Sequence, residues 1–82
     1  MFLAELYLPE TGADECRSVI RKAERAAASL ASGGAPVRLV RSVVVPGDEM
    51  CLLLFDADSA ETVNRVGQKS GLAFDRIIEA IG

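Results

Sequence analysis

The hydrophobic pattern along the chain switches between the period-two alternation of β-strands and the wider spacing of helices. Residues 2–8 alternate between two faces and predict a first strand. Residues 13–32 collect cysteine, valine, isoleucine, leucine and alanine on one arc and predict a helix, which the glycines and proline of residues 33–36 end. By the same reasoning, residues 59–70 predict a second helix, and residues 76–81 predict a last strand.

The most apolar part of the chain, residues 37–56, predicts a β-hairpin whose two strands are joined by a Pro-Gly turn. Strict alternation in its first strand places Leu39, Arg41 and Val43 on one face. The second strand, residues 50–55, is apolar on both faces, and such a strand is covered on both sides. The helices supply one cover, and we expect an identical subunit to supply the other.

The order strand, helix, strand, strand, helix, strand predicts a ferredoxin-like α+β fold. Right-handed crossovers then give a four-stranded antiparallel sheet with both helices on one face. A chain of 82 residues is one domain, residues 1–82. Because 50% of the residues are hydrophobic, we expect surplus apolar surface to form a subunit interface. The expectation is a homodimer of the α+β-barrel type, joined through the open face of the sheet.

Composition and charge narrow the range of partners. The net charge of −3 argues against a nucleic-acid partner. No apolar run reaches the ~18 residues that a membrane span needs, and the first residues lack the cationic start of a signal peptide. We therefore expect no membrane partner and a cytoplasmic location, where Cys16 and Cys51 are reduced and lie in the core.

The chain contains no histidine, which removes the commonest general base and the commonest neutral metal ligand. It also lacks the Cys-x-x-Cys motif of copper chaperones. Aromatic residues make up only 5% of the chain, too few for an RNA-recognition sheet. The expectation is a protein with no metal site and no cofactor.

The sheet face turned away from the helices is the predicted site. If alternate residues of the first strand face the helices, then Glu5 and Tyr7 face the other way, and we expect Arg41 and Glu79 to join them. An apolar floor with a few polar groups is typical of small-molecule pockets. The hypothesis is that Glu5, Tyr7, Arg41 and Glu79 line a ligand-binding cleft completed by a second subunit. The alternative is a structural ion pair between Glu5 and Arg41.

Two further groups of charged residues have open interpretations. Arg17, Arg21 and Arg25 recur every four residues along the first helix, where they either bind an anion or an acidic partner or form a solvated face. Asp75, before the last strand, is either a second site residue or fixes its turn through its own side chain.

Three segments of the chain are similar to a known family. They are Val37-Arg38-Leu39-Val40-Arg41-Ser42, the stretch from Asp56 to Val66, and Ser70-Gly71-Leu72-Ala73-Phe74-Asp75-Arg76-Ile77. They resemble a family of small bacterial, mainly actinobacterial, proteins of unassigned function that includes a nickel-binding protein. The resemblance implies a ferredoxin-like domain that pairs into a dimer, and a metal site. Family members often have histidines in the middle strand and second helix, where this chain has Arg41, Val66 and Gly67, so the nickel site is not transferred.

Three functions follow from these patterns. The first is a small binding or interaction module, homodimeric, with a small-ligand cleft on the open sheet face. The second is a cofactor-free dimeric α+β-barrel enzyme, of the isomerase, cyclase or monooxygenase type, with Glu5 or Glu79 as base. The third is a metal-binding protein, which the absence of histidine disfavours. A buried carboxylate in a deep pocket would favour the enzyme, and a filled, dry dimer interface would favour the binding module.

Overall fold

The computed structural model describes residues 1–9 and 12–81. Its elements follow the predicted order of strands and helices. They are β1 (Phe2–Tyr7), α1 (Ala13–Ser32), β2 (Val37–Val45), β3 (Met50–Ala57), α2 (Ala60–Ser70) and β4 (Arg76–Glu79). A single 3-10 turn, Pro46–Asp48, joins β2 to β3.

The four strands form one sheet in the order β2-β3-β1-β4, and each neighbouring pair is antiparallel. Each helix connects two strands that are not neighbours in the sheet: α1 connects β1 to β2, and α2 connects β3 to β4. This is the split arrangement that the element order predicted. The ferredoxin-like α+β fold is therefore confirmed. The last strand is shorter than the predicted residues 76–81: the pair of Glu79 with Phe2 is its last, and only one further backbone hydrogen bond, from the Ala80 N–H to the Met1 carbonyl at 2.8 Å, follows it in the described chain. Beyond it Ile81 is 97% exposed.

The core lies between the helices and one face of the sheet. The strand residues on this face are fully or almost fully buried: Ala4, Leu6, Cys51, Leu53 and Phe55. The helices cover them with small and β-branched side chains: Ala23, Ala26 and Ala27 of α1, and Val63 and Val66 of α2. Small alanine side chains let α1 approach the sheet closely, and full burial of a side chain such as Phe55 contributes about 1.5–3 kcal/mol.

A β-bulge at Val40 changes the faces of β2. Leu39 pairs with Phe55 and the next paired residue, Arg41, meets Leu54, so Val40 is an extra residue without a partner. Directly opposite residues share a face, which puts Leu39 on the helix side and Arg41 on the other. The prediction that Leu39 shares a face with Arg41 and Val43 is wrong, because the extra residue inverts the alternation.

Polar contacts fix the start of α2, the shorter of the two helices. The Ser59 hydroxyl accepts a hydrogen bond from the backbone N–H of Thr62 at 3.2 Å. The Thr62 hydroxyl in turn donates to Asp58 Oδ1 at 2.6 Å. Ser59 is thus the N-cap residue. Within the described part of the chain, neither helix combines the length and apolar character that a membrane span requires.

Candidate functional site

The face of the sheet opposite the helices, called the open face below, is the candidate site. Its members follow from the strand register, since residues directly opposite one another in antiparallel strands point to the same side. They are Leu3, Glu5 and Tyr7 of β1, Arg38, Arg41, Val43 and Val45 of β2, Met50, Leu52, Leu54 and Asp56 of β3, and Arg76 and Ile78 of β4.

The centre of the open face is an apolar floor. One row runs across all four strands through Arg41, Leu54, Leu3 and Ile78. The three apolar residues of this row are half-buried by their neighbours in the sheet, although both helices lie on the other side. At the edge, Val43 is 45% exposed. The open face therefore offers contiguous apolar surface with polar groups along it.

Glu5 lies in the next row, and its partner differs from the predicted one. Its Oε2 is 3.5 Å from Nε of Arg76, the residue directly opposite on β4. Arg41 lies two strands away on β2, and no carboxylate oxygen of the described residues, Glu5 included, lies within 4.0 Å of its guanidinium group. The alternative of a structural Glu5–Arg41 pair within one chain is therefore wrong, and Arg76 is a charged member of the open face that sequence reasoning missed.

Tyr7 lies at the end of β1, beyond the last residue that β4 pairs, and it is 52% exposed. Its backbone N–H donates to Oδ2 of Asp75 at 2.7 Å. The backbone N–H of Asp75 donates to the Glu5 carbonyl at 2.8 Å. Asp75 thus extends the β1–β4 ladder by one step. Its side chain binds the backbone, as the structural alternative predicted, although the partner is β1 rather than its own turn.

Arg41 is exposed at the β2 edge of the open face. Among the described residues, no carboxylate oxygen lies within 4.0 Å of its guanidinium group. The bulge at Val40 is what turns it to this side. A cation held at the edge of an apolar floor can bind the polar end of a small ligand.

Glu79 does not join the open face. It pairs with Phe2, whose side chain packs against the core on the helix side, so Glu79 is an exposed residue at that edge. Its neighbour Ile78 pairs with Leu3 and takes the place that Glu79 was expected to fill. The prediction was wrong by one residue of register, which reverses the face. Three of the four predicted residues, Glu5, Tyr7 and Arg41, share the open face.

The two cysteines lie in the core, as predicted, and both are free thiols. Burial raises the pKa of Cys51 above its ordinary value of 9.0, and the nearby Cys16 raises it further. The neutral thiol is therefore favoured over the nucleophilic thiolate. In residues 1–9 and 12–81, no three side chains of histidine, cysteine, aspartate and glutamate are grouped so that they could hold a metal ion.

Comparison with solved structures finds a similar fold in SCO4226 from Streptomyces coelicolor A3(2). The two chains are 21% identical, and the TM-score is 0.73 over 96% of this chain and 93% of that one. This bacterial protein shows that the ferredoxin-like arrangement spans nearly the whole of both chains. No protein-family model matches the sequence, and no curated protein matches it. The comparisons thus support the fold, and membership of the family stays an expectation from the resemblance.

Proposed function

We propose that the chain folds as one domain, residues 1–82, and acts as a homodimeric binding module. Two copies pack open face against open face and enclose a small-ligand cleft lined by Glu5, Tyr7 and Arg41. The observation that carries the proposal is the apolar row of Leu54, Leu3 and Ile78, which no helix of the described chain covers. Apolar surface of this kind on a small domain is typical of an interaction site.

A second copy of the same chain suits the charges of this face. In a two-fold interface the same patch meets itself, so it must be self-complementary. The open face carries both signs, with Glu5 near the middle and Arg41 at the β2 edge. A two-fold axis near Leu52 allows Arg41 of each copy to approach Glu5 of the other. The charged residues then fix how the two copies are aligned, in addition to keeping the protein soluble.

The size of the open face sets the expected strength of the dimer. Four strands, and about six residues along β1, give a planar footprint of about 400 Å². A standard interface buries about 800 Å² on each partner. Side-chain relief adds area to the footprint, but the comparison still predicts a dimer that dissociates on dilution.

Adjacent valines of β2 provide a matched test of the dimer. Val43 lies on the open face and is 45% exposed, whereas Val44 pairs with Cys51 on the helix side and is 39% exposed. We expect V43K to weaken dimerisation by at least about tenfold, because two-fold symmetry brings the charge into the interface twice. V44K should leave it unchanged. Sedimentation equilibrium over a range of concentrations measures both, and a monomeric wild type, or equal effects of the two variants, would refute the dimer.

The cleft is tested separately from the dimer. Native mass spectrometry of protein purified without added ligand should detect a reproducible bound mass on the dimer. Arg41→Ala and Glu5→Gln should each remove that mass, measured at a protein concentration high enough for sedimentation to show that the variant is still dimeric. Arg21→Ala, which removes an exposed cation from α1, is the control and should retain it. A dimer that carries no bound mass would rule out a retained ligand and leave the interface as the function of this face.

A further inference from the structure

The two helices leave a groove on the side of the molecule away from the sheet. This helix groove has a volume of about 310 Å³, and its walls come from the middle of α1 and the end of α2. It is lined by Lys22, Arg25, Ala26, Lys69 and Ser70. The small side chain of Ala26 leaves room between the longer, charged side chains around it.

Three of the five lining residues are cations. Lys22 and Arg25 are three residues apart on α1 and therefore share one side of that helix. Lys69 approaches from the last turn of α2. Within the described residues, none of these three has a carboxylate oxygen within 4.0 Å. Three other arginines each have such a partner: Arg17, Arg38 and Arg76.

We propose that the helix groove binds the phosphate group of a small organic phosphate. The protein carries a net charge of −3, yet this concave surface collects three positive charges, none of which has a described carboxylate oxygen within 4.0 Å. Mutual repulsion among them is relieved when a dianion enters, and Lys and Arg side chains are the usual ligands of phosphate oxygens. A volume of about 310 Å³ lies at the lower end of small-molecule sites, which leaves space for a short organic group beside the phosphate.

The other polar groups of the groove set the expected mode of binding. The hydroxyl of Ser70 donates to the Val66 carbonyl at 2.7 Å, so its proton is already used within α2. The nearest helix end is the carbonyl end of α2, whose partial negative charge disfavours an anion and is offset by Lys69. The phosphate is thus held by the three side-chain charges alone. Such binding is weak and falls steeply with ionic strength.

The test is a titration of ¹⁵N-labelled protein with glycerol 3-phosphate and with inorganic phosphate, at constant ionic strength, followed by amide chemical shifts. We expect saturable shifts concentrated around Lys22, Ala26 and Lys69. Lys22→Gln and Lys69→Gln should each weaken binding by about twofold to fivefold, the value of one exposed charge pair. Both substitutions lie on exposed helix positions and shorten the side chain by only one atom, so the fold should be retained.

Neighbouring exposed cations provide the controls. Arg21→Gln on α1 and Arg65→Gln on α2 remove the same charge from positions that do not line the groove, and they should leave the binding constant within twofold. Equal losses in these controls would show attraction to the general charge of the helices and would overturn the site. Shifts that never saturate would overturn it as well. Tighter binding of glycerol 3-phosphate than of inorganic phosphate would assign the rest of the groove to the organic group, and equal binding would assign the site to the phosphate alone.

Discussion

The substitution Gly67→Ala tests how closely α2 approaches the segment that follows it. Gly67 is buried inside α2, where glycine is about 0.8–1 kcal/mol less favourable than alanine. Lack of space for a side chain explains why glycine occupies this position. A Cβ atom at this position would lie 3.0 Å from Cδ2 of Phe74 and 3.1 Å from the Leu72 carbonyl oxygen. Both distances are shorter than ordinary van der Waals contact.

The sign of the effect depends on whether these neighbours can move. The Leu72 carbonyl belongs to the backbone, and the N–H of Leu72 donates to the Gly67 carbonyl at 3.0 Å, which ties the two residues together. The Phe74 ring is half-buried with its centroid 6.2 Å from that of Phe55 in the core. Overpacking of this kind costs about 1–3 kcal/mol. After the gain in helix propensity, the net loss of stability is about 1 kcal/mol.

Urea unfolding followed by circular dichroism measures this loss of free energy. In a thermal unfolding experiment the same loss corresponds to a fall in Tm of about 4–8 °C for a domain of this size. Gly33→Ala is the matched control, because a Cβ there would meet the Leu30 and Ser29 carbonyl oxygens at ordinary distances of 3.5 and 3.7 Å. The control should be neutral or slightly stabilising. If Gly67→Ala is as stable as the wild type or more so, with an unchanged m-value, the close approach of α2 to Phe74 is refuted.

Three other predictions concern single contacts. Ser59→Ala removes the N-cap of α2 and should lower the free energy of unfolding by about 1 kcal/mol in urea, whereas an unchanged value would contradict the cap. Asp75→Ala removes the acceptor of the Tyr7 N–H, so hydrogen exchange at that amide should accelerate, while unaltered exchange would show that the bond does not protect it. Burial and Cys16 raise the pKa of Cys51, so the native state holds the proton more tightly than the unfolded state. Its contribution to stability is complete below pH 9.0 and is lost as the pH rises further. Urea unfolding at pH 7 and pH 10 should therefore show a larger loss for the wild type than for Cys51→Ala, and equal losses would disprove the linkage.

The fold could be predicted from the sequence because its elements have strong periodic patterns. The alternation of β1, in which Ala4 and Leu6 are buried while Tyr7 is exposed, comes from one covered face and one open face. Capping residues and glycines bound the helices within a residue or two. The order of elements then leaves few topologies once crossovers are right-handed.

The faces of the edge strands could not be predicted in the same way. β4 has only four residues, and its register with β1 depends on the conformation of residues 72–75, which lead into it. A shift of one residue there exchanges Glu79 for Ile78 on the open face. The Glu5–Arg76 pair could not be predicted for the same reason, since only the register places these two residues opposite each other. Nothing in the local pattern of hydrophobic residues distinguishes the two registers.

The bulge in β2 resolves a conflict that strict alternation leaves in the sequence. If Val37 and Leu39 face the helices, regular pairing would also turn Arg41 toward them and bury an unpaired cation, which is costly. The opposite phase would spare Arg41 but would remove Leu39 from the core, losing up to about 1.5–3 kcal/mol of apolar burial. The extra residue, Val40, satisfies both requirements, because Leu39 packs on the core and Arg41 lies on the open face. The position of the one open-face cation that has no described carboxylate partner thus depends on a backbone irregularity, which is where we expect the specificity of this face to be set.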